Sequence, residues 1–187
     1  MDQILSFQQF SDMNSAGVAA LLALDIIVLV LYFTNNKFKN LVSKISYQAW
    51  MTAIIGIVAF GVVGANMYEY VYNDPPCMFC WYQRVTIYGM LLIAIVEVFK
   101  KTRAAHHFIG VFAALTTVVA TYHYSFHFRK YVMGESALTM PCSPNPLVAS
   151  CESAKVVSFG FVTMPLMSII VGLTILLITY LAYKKAK

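Results

Sequence analysis

The chain has 187 residues, of which 60% are hydrophobic, 14% aromatic and only 11% charged. Soluble domains carry roughly 25% charged and about 45–50% apolar residues, which argues against both a soluble globular protein and a disordered one. The net charge of +5 would suit nucleic acid, but the basic residues collect in short segments between apolar runs, which argues against that partner too.

Charge-poor runs of about 18 or more residues predict membrane helices, and five occur in this chain. The first covers residues 16–33. A secretory signal peptide needs a positive segment ahead of its apolar core. Residues 1–15 hold Asp2 and Asp12 and no Lys or Arg, so the run reads as a retained helix. Asp25 sits near its middle. A charge there costs about 2.5–3.5 kcal/mol on insertion scales, so Asp25 is expected to face the bundle or to be protonated. The second run, 49–72, carries Glu69 near its end and is stopped by Pro75 and Pro76. The third, 81–99, has Arg84 near one end and Glu97 near the other. The fourth, 108–126, contains His123. The fifth, 156–183, has no charge and exceeds what a bilayer needs, so a tilt or a bend at Pro165 is expected. No internal repeat or inter-domain linker interrupts the runs, and the chain reads as one helical bundle.

Lys and Arg concentrate on the cytoplasmic side of membrane proteins. Lys37, Lys39 and Lys44 lie between the first and second runs, Lys100, Lys101 and Arg103 between the third and fourth, and Lys184, Lys185 and Lys187 after the fifth. Five crossings place these nine of the 13 basic residues on one side, with the N-terminus outside and the C-terminus in the cytoplasm.

The same topology puts Cys77, Cys80, Cys142 and Cys151 outside. That side is oxidising in bacteria and in the secretory pathway, and four cysteines allow two disulfides in three connectivities. Cys77 and Cys80 form a Cys-x-x-Cys, with the third helix predicted to start at or just after Cys80. A helix N-terminus stabilises a thiolate. Arg84 lies one turn beyond Cys80 on the same face, where its charge favours a Cys80 thiolate. A disulfide closing so short a loop contributes only about 2 kcal/mol, against about 3 kcal/mol for fifteen residues, so the pair is a weak staple and a plausible redox couple. Half a zinc site is the other reading of a Cys-x-x-Cys, disfavoured because no His lies close in sequence. Cys142 and Cys151 lie in a segment, 127–155, made extended by Pro141, Pro144 and Pro146. A disulfide there is either an exposed, exchangeable bond or a staple that shapes the loop. Residues 127–138 suggest a short interfacial helix, with Phe128, Tyr131 and Val132 against lipid.

The run Cys77-Met78-Phe79-Cys80-Trp81-Tyr82-Gln83-Arg84, with a second cysteine pair in the next outer loop, resembles the DsbB/BdbC family of bacterial disulfide-formation proteins. Tyr122-His123-Tyr124 and Phe159-Gly160-Phe161 followed by Pro165 are similar to its BdbC branch. The resemblance covers residues 49–183. Vitamin-K-epoxide-reductase-like proteins resemble the chain less, because there the loop cysteines come first. The fold implied is all-α: a four-helix transmembrane bundle of DsbB type plus one extra N-terminal transmembrane helix. Residues 1–48 are then an outer segment, the extra helix and a cytoplasmic loop, and 49–187 the redox domain, with outer loops 73–80 and 127–155.

The activity the resemblance implies is that of a thiol:quinone oxidoreductase in the bacterial inner membrane. It reoxidises a DsbA-like thioredoxin-fold protein and passes electrons to the quinone pool, as ubiquinone or menaquinone. The implied redox-active disulfides are Cys77–Cys80 and Cys142–Cys151. Cys142 forms the mixed disulfide with the partner and Cys151 resolves it; Cys77 receives the thiol attack and Cys80 donates to the quinone ring. Arg84 holds the thiolate and a quinone carbonyl, and Trp81, Tyr82 and Tyr88 line the ring or form an aromatic belt. His123 is a proton donor or an interfacial polar residue, Glu69 is unassigned, and no metal is expected. The eight residues enclosed by the second pair give the loop a short tether. The rival reading is a small membrane transporter or scaffold whose two disulfides are structural.

Overall fold

Backbone amides in hydrocarbon must be hydrogen-bonded within their own segment, so each apolar run closes into a helix. The computed structural model describes residues 6–135, 151, 154 and 156–186. In chain order the helices are α1 (Phe7–Thr34), α2 (Asn36–Lys44), α3 (Tyr47–Asn66), which continues as a π-helical turn (Met67–Val71), α4 (Met78–Lys100), α5 (Ala105–Tyr131) and α6 (Met164–Ala186). Five of them are long and apolar enough to cross a membrane. The chain is an all-α, multi-span membrane protein.

Local chemistry sets the ends. Ser6 accepts from the Gln9 amide while the Gln9 side chain accepts from the Ser6 amide. This capping box starts α1 nine residues before the apolar run begins. Asn35 caps α2, so the lysine-bearing stretch between the first two spans is an amphipathic helix rather than a loop. Cys77 caps α4, which therefore starts ahead of Cys80.

Two expectations are corrected. The apolar run 156–183 is not one bent helix. Ser158 and Val162 bridge across a turn in which Phe159 and Gly160 have φ of 55° and 80°. That left-handed pair prevents a helix, and α6 starts only at Met164. Pro165 then sits in the first turn, where a missing N–H costs nothing and no bend is required. Nor is 127–138 a separate interfacial helix. Residues 127–131 continue α5, because His127 is buried against the bundle and not laid on the interface. Residues 136–138 lie outside the described residues.

α3 to α6 form the bundle. Met51, Ile54 and Val58 of α3, Met90 and Ala94 of α4, Ile109 and Ala113 of α5, and Ile175, Ile178 and Ala182 of α6 share one core. α1 stands outside these four and packs along α6. Asp25 does face the bundle: the Thr174 hydroxyl of α6 donates to it at 2.5 Å. Outward-facing Leu24, Ile26, Phe60, Phe99 and Val118 present an apolar surface suited to lipid.

Candidate active site

The four cysteines decide where to look. Asn73, at φ 51°, turns the chain out of the π-helical turn, and Pro75-Pro76 carries it without helix to Cys77. Cys77 adopts an extended backbone at the N-cap of α4, and the Cys80 amide donates to its sulfur at 3.3 Å. The sulfurs of Cys77 and Cys80 lie 2.7 Å apart and both cysteines are free. The pair stands at the positive end of the α4 dipole.

α5 supplies a histidine that the sequence separates from Cys77 by 46 positions. His123 is 1% exposed, with Nε2 3.9 Å from Cys77 Sγ and 3.2 Å from the Cys151 carbonyl oxygen. Its Nδ1 lies 3.4 Å from the Gln83 amide nitrogen. In the tautomer that this amide donor favours, the ring proton sits on Nε2 and faces both the sulfur and the carbonyl. The hydrogen bond from the Cys80 thiol draws the Cys77 thiol well below its ordinary value, with the His123 contact adding to it against the opposing effect of burial. A thiol of ordinary pKa is protonated at neutral pH; this shift favours the thiolate at Cys77. The alkylation rate of Cys77 by iodoacetamide in the reduced protein is therefore expected to level off well below pH 9. The thiolate is lost as pH falls through that lowered value, and Cys80→Ala, which removes the principal donor, moves the midpoint upward. A midpoint near 9 in the unsubstituted protein would contradict this.

Arg84 is 7% exposed and lies one turn beyond Cys80. Its guanidinium pairs with Glu69, and a second nitrogen donates to the Ala65 carbonyl at 2.8 Å. Glu69, without a role in the sequence, is thus the direct partner of Arg84. The π-helical turn explains how. By widening one turn it sends Glu69 towards α4, while its neighbour Tyr68 is buried towards α1. The Trp81 ring lies 5.6 Å from the Arg84 Cζ, half-exposed together with Tyr82. The Tyr88 hydroxyl donates to Asn66 of α3 at 3.1 Å.

A cavity of about 370 Å³ opens beside the dithiol. Cys77, Cys80, Gln83, Arg84 and His123 form its polar end; Phe60, Gly61, Gly64, Ile87 and Val171 form its apolar part. Trp81, Tyr82 and Tyr88 are not among its lining residues. Cys151 is buried in one cluster with Cys77, packed by Phe79, Cys80 and Phe126, and is itself disulfide-bonded. Its carbonyl accepts from His127 at 2.8 Å. Cys142 lies outside the described residues. The donor atoms of Cys77, Cys80 and His123 fall within 4.8 Å of one another, a spacing that also suits a thiolate-preferring cation. Chemically, the site packs the Cys77 and Cys80 pair in one cluster with the disulfide-bonded Cys151, next to a cavity of mixed polarity.

The family model for disulfide bond formation protein DsbB matches residues 47–182. The chain belongs to the DsbB family. Within that family, the SPbeta prophage-derived disulfide bond formation protein B of Bacillus subtilis is 27% identical over 109 residues, 58% of this chain and 68% of that protein. The probable disulfide formation protein C 1 of Bacillus cereus is 27% identical over 139 residues, 74% of this chain and 91% of its own. A probable disulfide formation protein of Oceanobacillus iheyensis is 30% identical over 135 residues, 72% and 82% of the two chains. No solved structure is significantly similar. As a DsbB-family member, the protein is a membrane oxidoreductase of disulfide bond formation, and its DsbB-type bundle is α3 to α6. α1 and α2 precede the matched region.

Proposed function

We propose that this protein takes an electron pair from the dithiol of a DsbA-like, thioredoxin-fold protein and delivers it to a membrane quinone. The observation that carries the reading is the Cys77 and Cys80 pair, packed in one cluster with the disulfide-bonded Cys151 and lining with it a cavity of mixed polarity.

The exchanges balance as follows. The partner's dithiol is oxidised as the disulfide proposed between Cys142 and Cys151 is reduced to two thiols. That loop dithiol then reduces a Cys77–Cys80 disulfide and is itself reoxidised. Each transfer proceeds by a thiolate attacking a sulfur and expelling the other as the leaving thiolate; the lowered pKa of Cys77 suits it to attack Cys80 when the pair is reoxidised. His123 holds a proton at Nε2 beside Cys77 and can exchange it as that sulfur changes between thiolate, thiol and disulfide. A quinone, when bound, supplies a two-electron, two-proton acceptor that returns Cys77 and Cys80 to the disulfide. Gln83 and Arg84 offer donors to an anionic or carbonyl oxygen, with Glu69 fixing the Arg84 fork. Phe60, Gly61, Gly64 and Val171 suit an apolar chain.

Orientation belongs to the same proposal. Nine of the 13 basic residues fall on the side away from the cysteines, which supports a redox face outside the bacterial plasma membrane. The test uses purified protein in detergent, a reduced thioredoxin-fold donor and a short-chain quinone, with quinone absorbance followed. One quinone is expected to be consumed per donor dithiol oxidised. Donor oxidation without loss of quinone absorbance would overturn the acceptor. Neither reaction, with reductant only unfolding the protein, would favour the structural-disulfide reading.

A further inference from the structure

α1 lies ahead of the matched family region, yet three anchors fix it to the bundle. At the cysteine end, Phe7 and Phe10 meet Tyr68 and Tyr72 with ring centroids between 5.0 and 5.8 Å apart. Midway, Asp25 accepts from Thr174. At the lysine end, Lys184 donates to the Tyr32 hydroxyl at 2.9 Å. Between the first two anchors, α1 presents Asn14 and Val18, one helical turn apart, to the cavity that Cys77 and Cys80 line.

Polar groups on a membrane helix turn inward and mark function or association. Ser11, Asn14 and Ser15 are all buried. The two serines donate to Phe7 and Ser11 carbonyls at 2.8 Å, and Ser11 also hydrogen-bonds Tyr68. Asn14 reaches across as well, its amide 3.0 Å from the Phe10 carbonyl and 3.4 Å from the Tyr68 hydroxyl, and of the three it alone lines the cavity. Tyr68 also lines the cavity, and its neighbour Glu69 holds Arg84 at the polar end. One π-helical turn thereby ties α1 to α4 across the cavity.

We propose that α1 is a wall of this cavity and that Asn14 is a specificity-determining residue, setting with Tyr68 the width and polarity of the space that faces Cys80. The occupant whose fit it governs is the ring of a lipid-soluble two-electron acceptor, and this rests on the quinone reading above. Asn14→Ala opens the cavity and removes an amide, so it favours a wider, two-ring acceptor over a one-ring one.

The experiment compares the unsubstituted protein, Asn14→Ala, Val18→Ala and the lipid-facing control Leu24→Ala. In each, kcat and KM are measured with a one-ring ubiquinone analogue and with two-ring menadione, using a small dithiol as donor. In parallel, the reduced proteins are alkylated with N-ethylmaleimide and labelling of Cys77 and Cys80 is timed by mass spectrometry. Asn14→Ala is expected to shift the menadione-to-ubiquinone ratio of kcat/KM by about tenfold, mostly in KM, a typical scale for one altered pocket contact. Alkylation should accelerate severalfold in Asn14→Ala and Val18→Ala and stay unchanged in Leu24→Ala. Unchanged alkylation together with an unchanged ratio overturns the inference. If no variant reduces any quinone but Asn14→Ala still speeds alkylation, the acceptor reading falls and the wall stands.

Discussion

Cys80→Ser is expected to lower thiol-driven quinone reduction by at least about a thousandfold, the order of loss seen when a covalent nucleophile is removed. A serine oxygen cannot form the disulfide with Cys77, so the electron pair arriving from the loop has nowhere to be stored. The local geometry survives, because the Cys80 backbone amide, not its side chain, completes the cap on Cys77. Thermal stability should therefore change little, as expected when the deleted bond closes so short a loop. Cys77, left without its mate, should instead be trapped in a mixed disulfide, visible as a shifted band on a non-reducing gel and lost on reduction. Wild-type quinone reduction by Cys80→Ser would refute its place in the electron path.

Glu69→Ala is expected to be the most destabilising single change at the site. Arg84 is almost fully buried, and a guanidinium does not shed its proton. Removing its carboxylate leaves an uncompensated charge, which costs about 3–5 kcal/mol. The measurement is a thermal melt in detergent, read with Arg84→Met and the Glu69→Ala/Arg84→Met double variant. The double variant should recover a large part of the lost stability, since no buried charge remains, whereas independent contributions would add. Additive losses would mean the pair is not coupled.

Much of this site could be read from residue order alone, and the limits were geometric. The spans were legible because hydrocarbon forces an apolar run into a helix, and Asp25 faced the bundle because charge in lipid has few other places to go. The Cys77–Cys80 pair announced itself through spacing. What spacing cannot carry is proximity between segments. His123 is 46 positions from Cys77, and only the packing of α4 on α5 brings them together. Glu69 and Arg84 were each visible as a charge near a span end, and their opposite signs were the available signal. The ends of helices failed for a different reason: hydropathy is blind to a capping box at Ser6 and to a left-handed pair at Phe159 and Gly160. Asn14 gave no motif at all, since a lone amide in an apolar helix has no signature until Tyr68 stands opposite it.

The π-helical turn at Met67–Val71 carries a consequence for how such a protein can change over generations. A π turn holds one residue more than an α turn of the same span, so deletion of a single codon here would return the segment to a regular α-helix. Adjacent positions that would otherwise point about 100° apart on a regular α-helix are here free to serve two different neighbours. Loss of that codon would leave every side chain chemically intact and yet rotate the acid away from its arginine. Relatives with unaltered composition but a one-residue gap at this point would thus need a different counter-charge to keep the same guanidinium in place.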